Sequence, residues 1–414
     1  MKTFKSFLLC FAFVAGCTKE TEPGRIYTDT LPATQENPVE VFAEDTTQNV
    51  PAGPDVFDEP WAQTAEFDST ITTPDTTTFK ERYKDITPEA VNTKKMTLPI
   101  GGRISGPSVL RVQILLDRVR FSPGSMDGNF GNNTRKAVYW FQHQNGLKTT
   151  GIVDNQTFKK LVEKAGNFGK PIISYKLAEG DIKYPFTKIP KDIYERAKLR
   201  GTYYENLAEK LGEDFHLSPE LLKTLNPKTD FQKAKVGDEV FVPNSYTDTS
   251  GDAPAPIARL VVSHEGYYLH ALDTAGNIIY HFPSTLGASY DPSPTGNLKV
   301  RSKTIDPWWH YQPKILERVK DTEKDAIIPG GPNNSVGKVW MALSKRHYGI
   351  HGTSAPETIG YAQSAGCVRL TNWDALFLST KIEPGVEVDF VEAKRDVAKK
   401  EKAEEEKPKK KKRE

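Results

Sequence analysis

Apolar residues are unevenly distributed along the 414 positions of this chain, and their pattern changes from segment to segment. From Thr18 to residue 100 the sequence is rich in Thr, Pro, Asp and Glu, with T-T-P-D-T-T-T at Thr72 to Thr78 and no sustained apolar period. Such a segment buries too little surface to offset its ordering entropy, which predicts a disordered tether over residues 18–100. Next, S-V-L-R-V-Q-I-L-L-D-R-V places Val109, Val112, Leu116 and Val119 on one helical stripe. A polar hinge follows, M-D-G-N-F-G-N-N-T, with Thr134 just before a second helix that carries Ala137, Val138 and Phe141. A third short helix has Phe158, Leu161 and Val162 inward, so residues 101–166 read as a small three-helix domain that buries its stripe without a partner. Fainter signals come next: Gly201-Thr202, N-L-A-E-K-L-G, S-P-E-L-L-K-T-L-N-P and V-G-D-E-V-F-V-P-N. These predict strand or turn, helix, helix, strand over residues 198–246. After the linker T-D-T-S-G-D-A-P-A-P, short β-type runs recur: A-R-L-V-V-S, Y-Y-L-H-A-L, N-I-I-Y-H-F, N-L-K-V-R-S, K-V-W-M-A-L and V-E-V-D-F-V. Residues 257–392 are thus expected to form a mainly-β domain with one helix, Asn372 to about Lys381, and the chain as a whole is multidomain α+β.

The two ends behave differently from this middle. The first residues, M-K-T-F-K-S-F-L-L-C-F-A-F-V-A-G-C, have two lysines, an apolar run from Phe7 to Ala15, then Gly16-Cys17. That is the layout of a secretory signal over residues 1–17, and the run is too short to span a bilayer as a mature helix. V-A-G-C resembles the bacterial lipobox, which implies that Cys10 is discarded and Cys17 becomes a lipid-bearing thioether, a membrane anchor in the cell envelope or periplasm. The net charge of +2 comes from the tail: residues 394–414 hold 11 Lys/Arg against 6 Asp/Glu, leaving 45 basic and 48 acidic residues elsewhere. Residues 393–414 are expected to be a disordered charged tail, and the rest shows no nucleic-acid footprint.

Composition also isolates one thiol. Of three cysteines, two lie in the signal segment, so Cys367 has no intramolecular partner and reads as reactive or intermolecular in an exported protein. It sits in S-A-G-C-V-R-L (Ser364 to Leu370), sixteen positions after the histidine of Y-G-I-H-G-T (Tyr348 to Thr353). A thiol becomes a nucleophile when a base or positive charge populates its thiolate, and His351 supplies the base. Gly366 removes a side chain beside the sulfur and leaves backbone N–H groups to act as oxyanion donors, while Arg369 offers a fixed charge for a carboxylate. Acyl transfer suits this constellation. His143, His216 and His347 lack metal-ligand spacing and read as surface or boundary residues. His264, His270 and His281 recur in strands without a carboxylate or cysteine pattern, so no metal and no cofactor are expected. Trp308-Trp309-His310-Tyr311 fits stacking on sugar or peptide as well as it fits core or lid packing.

Three families are resembled in order. Gln113, D-G-N-F-G-N-N-T, A-V-Y-W-F-Q, G-L-K-T-T-G-I-V-D and T-F-K-K-L look like a peptidoglycan-binding domain of the three-helix type. Residues 198–246 resemble a LysM module, although the usual opening Asp is missing, and a spacer of that ancestry is the alternative. I-H-G-T (Ile350 to Thr353) and S-A-G-C-V-R-L, with P-T-G (Pro294 to Gly296) and P-G-G-P-N-N-S-V-G (Pro329 to Gly337) upstream, closely resemble the L,D-transpeptidase catalytic domain, the YkuD fold. That resemblance implies that Cys367 attacks the L,D bond between the third and fourth residues of a peptidoglycan stem peptide. It further implies that His351 activates the thiol and that the Gly352 carbonyl orients the imidazole. Ser364 and Arg369 would shape the site, and the Gly366 and Cys367 amides would stabilise the oxyanion. Carbapenems are expected to acylate the same sulfur. No Asp or Asn stands at an evident triad position, and Ser335 replaces a proline common in the family. A wall-binding tether with an idle catalytic domain is the alternative, against which the intact His and Cys motifs speak. Cross-linking, trimming and protein attachment share one acyl-enzyme, and neither they nor the oligomeric state are separated by sequence.

Overall fold

The computed structural model describes residues 85–166, 169–245, 256–288, 292–315 and 323–391. Cys17, the expected tether before residue 85 and the charged tail lie outside the described residues. The last part of the expected tether is ordered, which corrects that reading. Helix α1, Pro88–Thr93, is capped by Thr87, whose hydroxyl accepts from the Ala90 N–H at 3.1 Å. Ile86, Val91 and Ile100 around it are buried. These three residues show no period in sequence because their partners are remote: Asn92 bonds both backbone groups of Ile172, and Arg111 donates to the carbonyls of Val91 and Lys94.

The helical unit consists of α2 (Pro107–Arg118), α3 (Asn132–Gln144) and α4 (Asn155–Ala165). Gly131 precedes α3, so Thr134 lies inside that helix rather than before it; its hydroxyl accepts from Gln113 at 3.2 Å. Val162 is exposed, whereas Leu161 is buried as expected. Helix α2 is buried on two sides. Val109, Val112 and Leu116 pack with α3 and α4, while Leu110 and Ile114 join the core of the next module.

That module is framed by β1 (Ile172–Lys176), which pairs antiparallel with β2 (Glu239–Pro243) from Ile172↔Pro243 to Lys176↔Glu239. Between them lie two single turns, α5 (Glu179–Ile182) and α6 (Ile193–Arg196), then α7 (Leu207–Asp214) and α8 (Pro219–Leu225). The opening strand therefore falls well before Gly201-Thr202, where sequence placed a strand or turn. Instead, Gly201 and Thr202 dock on the mainly-β domain, the Thr202 N–H donating to Gly330 O at 3.0 Å and its hydroxyl to Pro329 O at 3.1 Å.

The remaining strands are β3 (Arg259–Ser263), β4 (Tyr268–Leu272), β5 (Ile278–Pro283), β6 (Gly296–Ile305), β7 (Trp309–Tyr311), β8 (Ala326–Ile328), β9 (Val339–Leu343), β10 (Gly349–His351), β11 (Val368–Arg369) and β12 (Glu387–Val391). Eight of them form one sheet in the order β11-β10-β9-β6-β12-β3-β4-β5; β7 and β8 form a separate hairpin. The pairs β10–β11 and β12–β3 are parallel and the others antiparallel. Just beyond β5, Thr285 exchanges both backbone hydrogen bonds with Arg369, each at 2.9 Å, so the sheet curls until its two edges meet.

Strand alternation gives this sheet two apolar faces. Leu260, Val262, Leu269 and Ala271 face a core closed by helix α9 (Asn372–Lys381) through Phe377 and Leu378. Val261, Tyr268, Leu272 and Ile278 face the helical unit, where Trp140 meets Tyr268 edge-on at 5.1 Å between ring centroids. The Lys136 ammonium crosses the same boundary to the Gly266 carbonyl at 3.0 Å. The helical unit thus shares its core with the eight-stranded sheet, against the expectation that it buries its stripe alone. His216, expected at a surface or boundary, lies at a boundary in this packing. Buried, it stacks on Trp373 and bonds Asp117 Oδ1 at 2.8 Å, joining the middle module to its two neighbours.

Candidate active site

The parallel pair β10–β11 sets Ile350 opposite Val368 and His351 opposite Arg369. Ile350 and Val368 point into the core, so alternation turns His351 and Arg369 to the opposite face. Cys367 immediately precedes β11, next to the strand that carries Arg369. Six residues singled out from sequence, His351, Gly352, Ser364, Gly366, Cys367 and Arg369, therefore lie in or directly beside this one strand pair.

Each is held locally. Gly366 has φ of +86°, a left-handed turn that presents Cys367, and this is conformationally expensive for a residue with a Cβ. Ser364 donates from its hydroxyl to the Cys367 carbonyl at 2.6 Å, and its own amide donates to Leu286 O at 2.8 Å. The cysteine loop is thus bonded to the strand-like segment that follows β5. The half-buried thiol lies 3.5 Å from the carbonyl oxygen of His347, a residue with φ of +67° in the β9–β10 turn.

His351 is buried, with Nδ1 at 2.7 Å from the Gly352 carbonyl. That contact assigns the proton to Nδ1 and leaves Nε2 as the basic nitrogen. Trp340 stacks on the imidazole at 5.4 Å; Gly349 makes room for it, since a Cβ there would lie 2.6 Å from the indole. Burial, and then the charge of Arg369, push the histidine down to about 3 against opposing backbone hydrogen bonds of Gly352 and Val336, so the resting imidazole is neutral. Arg369 donates from Nη2 to Thr353 Oγ1 at 2.8 Å, and its Nε is buried without a hydrogen-bond partner among the described residues. The charge of Arg369 also acts on Cys367 and Glu357. A neutral imidazole and a fixed cation thus share one face, with the thiol carried by the residue that precedes β11.

Sequence reading missed Asn372. Its Oδ1 accepts from the Thr353 N–H at 3.1 Å and the Lys338 N–H at 3.0 Å, while Nδ2 donates to both Glu213 oxygens at 3.0 and 2.9 Å. Its position two residues past S-A-G-C-V-R-L was the only available signal, and that alone says nothing about a backbone contact near residue 353. Burial pushes Glu213 up to about 8, opposed by hydrogen bonds from Asn372 and Tyr204. The P-G-G-P-N-N-S-V-G loop is clamped from the same side: Asn333 Nδ2 donates to Tyr203 O and Glu209 Oε1. Of the aromatic run, Trp308 is 58% exposed while Tyr311 is buried.

Among the described residues no group of three or more His, Cys, Asp or Glu could hold a metal ion. His270 and His281 pair at 3.0 Å on β4 and β5, and His264 lies in the turn between β3 and β4 rather than in a strand.

Residues 257–390 match the family model of the L,D-transpeptidase catalytic domain, YkuD, and residues 105–161 match that of a peptidoglycan binding domain. The chain thus carries a YkuD L,D-transpeptidase catalytic domain behind a peptidoglycan-binding domain. Among known relatives it is similar to proteins that bear the name L,D-transpeptidase. One is YkuD of Bacillus licheniformis, 28% identical over 183 residues, covering 44% of this chain and 92% of that protein. YkuD of Bacillus subtilis is 48% identical over 115 residues, 27% of this chain and 65% of that one. YbiS of Escherichia coli is 28% identical over 174 residues, 40% and 56% respectively. The chain therefore spans only part of the length of the last two.

Proposed function

We propose that this protein is an L,D-transpeptidase that acts on peptidoglycan stem peptides in the cell envelope through a Cys367 thioester. The observation that carries the reading is the shared sheet face of His351 and Arg369, with Cys367 at the residue before β11 and His351 Nδ1 tied to Gly352. His351 Nε2 takes the thiol proton as sulfur attacks the carbonyl between the third and fourth stem residues. The Gly366 and Cys367 amides stabilise the oxyanion. Collapse breaks the C–N bond, and the imidazolium returns its proton to the departing amine of the terminal D-residue. An acceptor amine then attacks the thioester, His351 again removes a proton, and the thiol is released. Since the imidazole is neutral at rest, the proton moves during attack rather than before it. The Arg369 guanidinium, with Nε uncommitted, holds a stem carboxylate and favours the forming thiolate. The unit between β1 and β2 is read as LysM-like, and Cys17 as the lipid anchor.

A carbapenem offers a strained carbonyl to the same sulfur. One covalent adduct on Cys367 is expected in intact-protein mass spectra. It should vanish in Cys367→Ala and form much more slowly in His351→Ala, and Cys367→Ser should be nearly inactive because a hydroxyl is harder to deprotonate than a thiol. An adduct that persists without Cys367, or release of the terminal residue from a tetrapeptide by Cys367→Ala, overturns the mechanism.

A further inference from the structure

The peptide between Gly352 and Thr353 is engaged at both ends. Its C=O accepts the His351 Nδ1–H, and its N–H donates to Asn372 Oδ1 at 3.1 Å. Because the peptide group is planar, whatever fixes its N–H also fixes the direction of its C=O. Asn372 Oδ1 is shared with the Lys338 N–H, so its amide orientation is set, and Nδ2 must donate away from the imidazole. There it meets Glu213, the seventh residue of α7 in the middle module, at 2.9 and 3.0 Å, as well as Pro332 O at 3.2 Å. Glu213 is held in turn by the Tyr204 hydroxyl at 3.0 Å, and both are buried.

Building on the function proposed above, we propose that Glu213 is a positioning residue for the L,D-transpeptidase site: through Asn372 it fixes the 352–353 peptide and so the tautomer and aim of His351. A carboxyl group offers Asn372 an acceptor oxygen whether or not it is protonated, so the tie holds in either state. The middle module then completes the active site in addition to any contact it makes with glycan. The anchoring of that module beside the site, through Thr202 to Pro329 and Gly330 and through Asn333 to Glu209, places Glu213 within a fixed frame.

The test uses the full chain with 15N-labelled histidine, the His351 signals being assigned from His351→Ala. In the wild type, long-range 1H–15N spectra should show His351 protonated at Nδ1. Glu213→Leu, close in size but without acceptors, should give mixed tautomers at His351. With a tetrapeptide stem as substrate, it should lower kcat about tenfold or more at nearly constant KM. Glu213→Gln retains an acceptor for Asn372 and should recover kcat to within about threefold. Combined with His351→Ala, Glu213→Leu should cost nothing further, since both act through one imidazole. An unchanged His351 spectrum in folded Glu213→Leu, or losses that multiply in the double variant, overturns the proposal. Should Glu213→Leu fail to fold, Glu213→Asp, with its carboxylate retracted by one methylene, is judged by the same spectrum and the same double variant. If the wild type does not turn over the stem peptide, the proposed function fails, while the tautomer spectrum still decides the role of Glu213.

Discussion

Cutting the chain to residues 257–391 removes everything that covers the outer face of β3, β4 and β5. Val261, Tyr268, Leu272 and Ile278 have between 0% and 6% of their surface exposed in the intact protein, and in the fragment they face water. Burying one large apolar side chain contributes about 1.5–3 kcal/mol, so the fragment forfeits about 6–12 kcal/mol, an upper figure because unfolded chains are partly compact. That matches the whole net stability of an ordinary domain, about 5–15 kcal/mol. The fragment should therefore be expanded or aggregated, bind a dye that reports exposed apolar surface, and lack a cooperative melt near that of residues 85–391. Changing Val261, Leu272 and Ile278 to threonine in the fragment should improve its solubility. Size-exclusion chromatography and circular dichroism read both outcomes. A monomeric wild-type fragment melting within about 3 °C of the longer chain, the equivalent of about 1 kcal/mol, refutes the reasoning.

Lys136, fully buried between α3 and the β3–β4 turn, is lowered to about 7 by burial and then by Arg135. A base depressed in the folded state contributes its full stability above its unfolded value of 10.5 and loses it as pH falls toward 7, because the unfolded chain takes up the proton first. Thermal stability of the wild type should therefore rise between pH 7 and about 9.5 relative to Lys136→Met, and parallel melting curves would contradict this. If Cys17 carries the lipid, Cys17→Ser should leave the membrane fraction or retain an uncleaved signal; a wild-type protein found wholly soluble and without lipid would exclude the anchor.

Local order was the legible part of this sequence. Strand runs such as A-R-L-V-V-S and the helix from Asn372 to Lys381 fall where their patterns put them, because period and capping depend on neighbours in the chain. Two short motifs likewise pointed to His351 and Arg369 as neighbours, and one parallel strand pair sets these two opposite each other. Sequence alone could not give the partnerships between modules. The alternation of β3 marks Val261 as opposite to Leu260 and Val262 but does not say that helices, rather than water, cover it. The isolated Ile86 and Val91 carry no period and acquire a core only when α2 and β1 arrive from far along the chain. Glu213 and Asn372, 159 positions apart, reveal nothing until packing excludes water from both. A buried polar group must find a partner wherever the fold places one, and that position is a property of the closed tertiary structure.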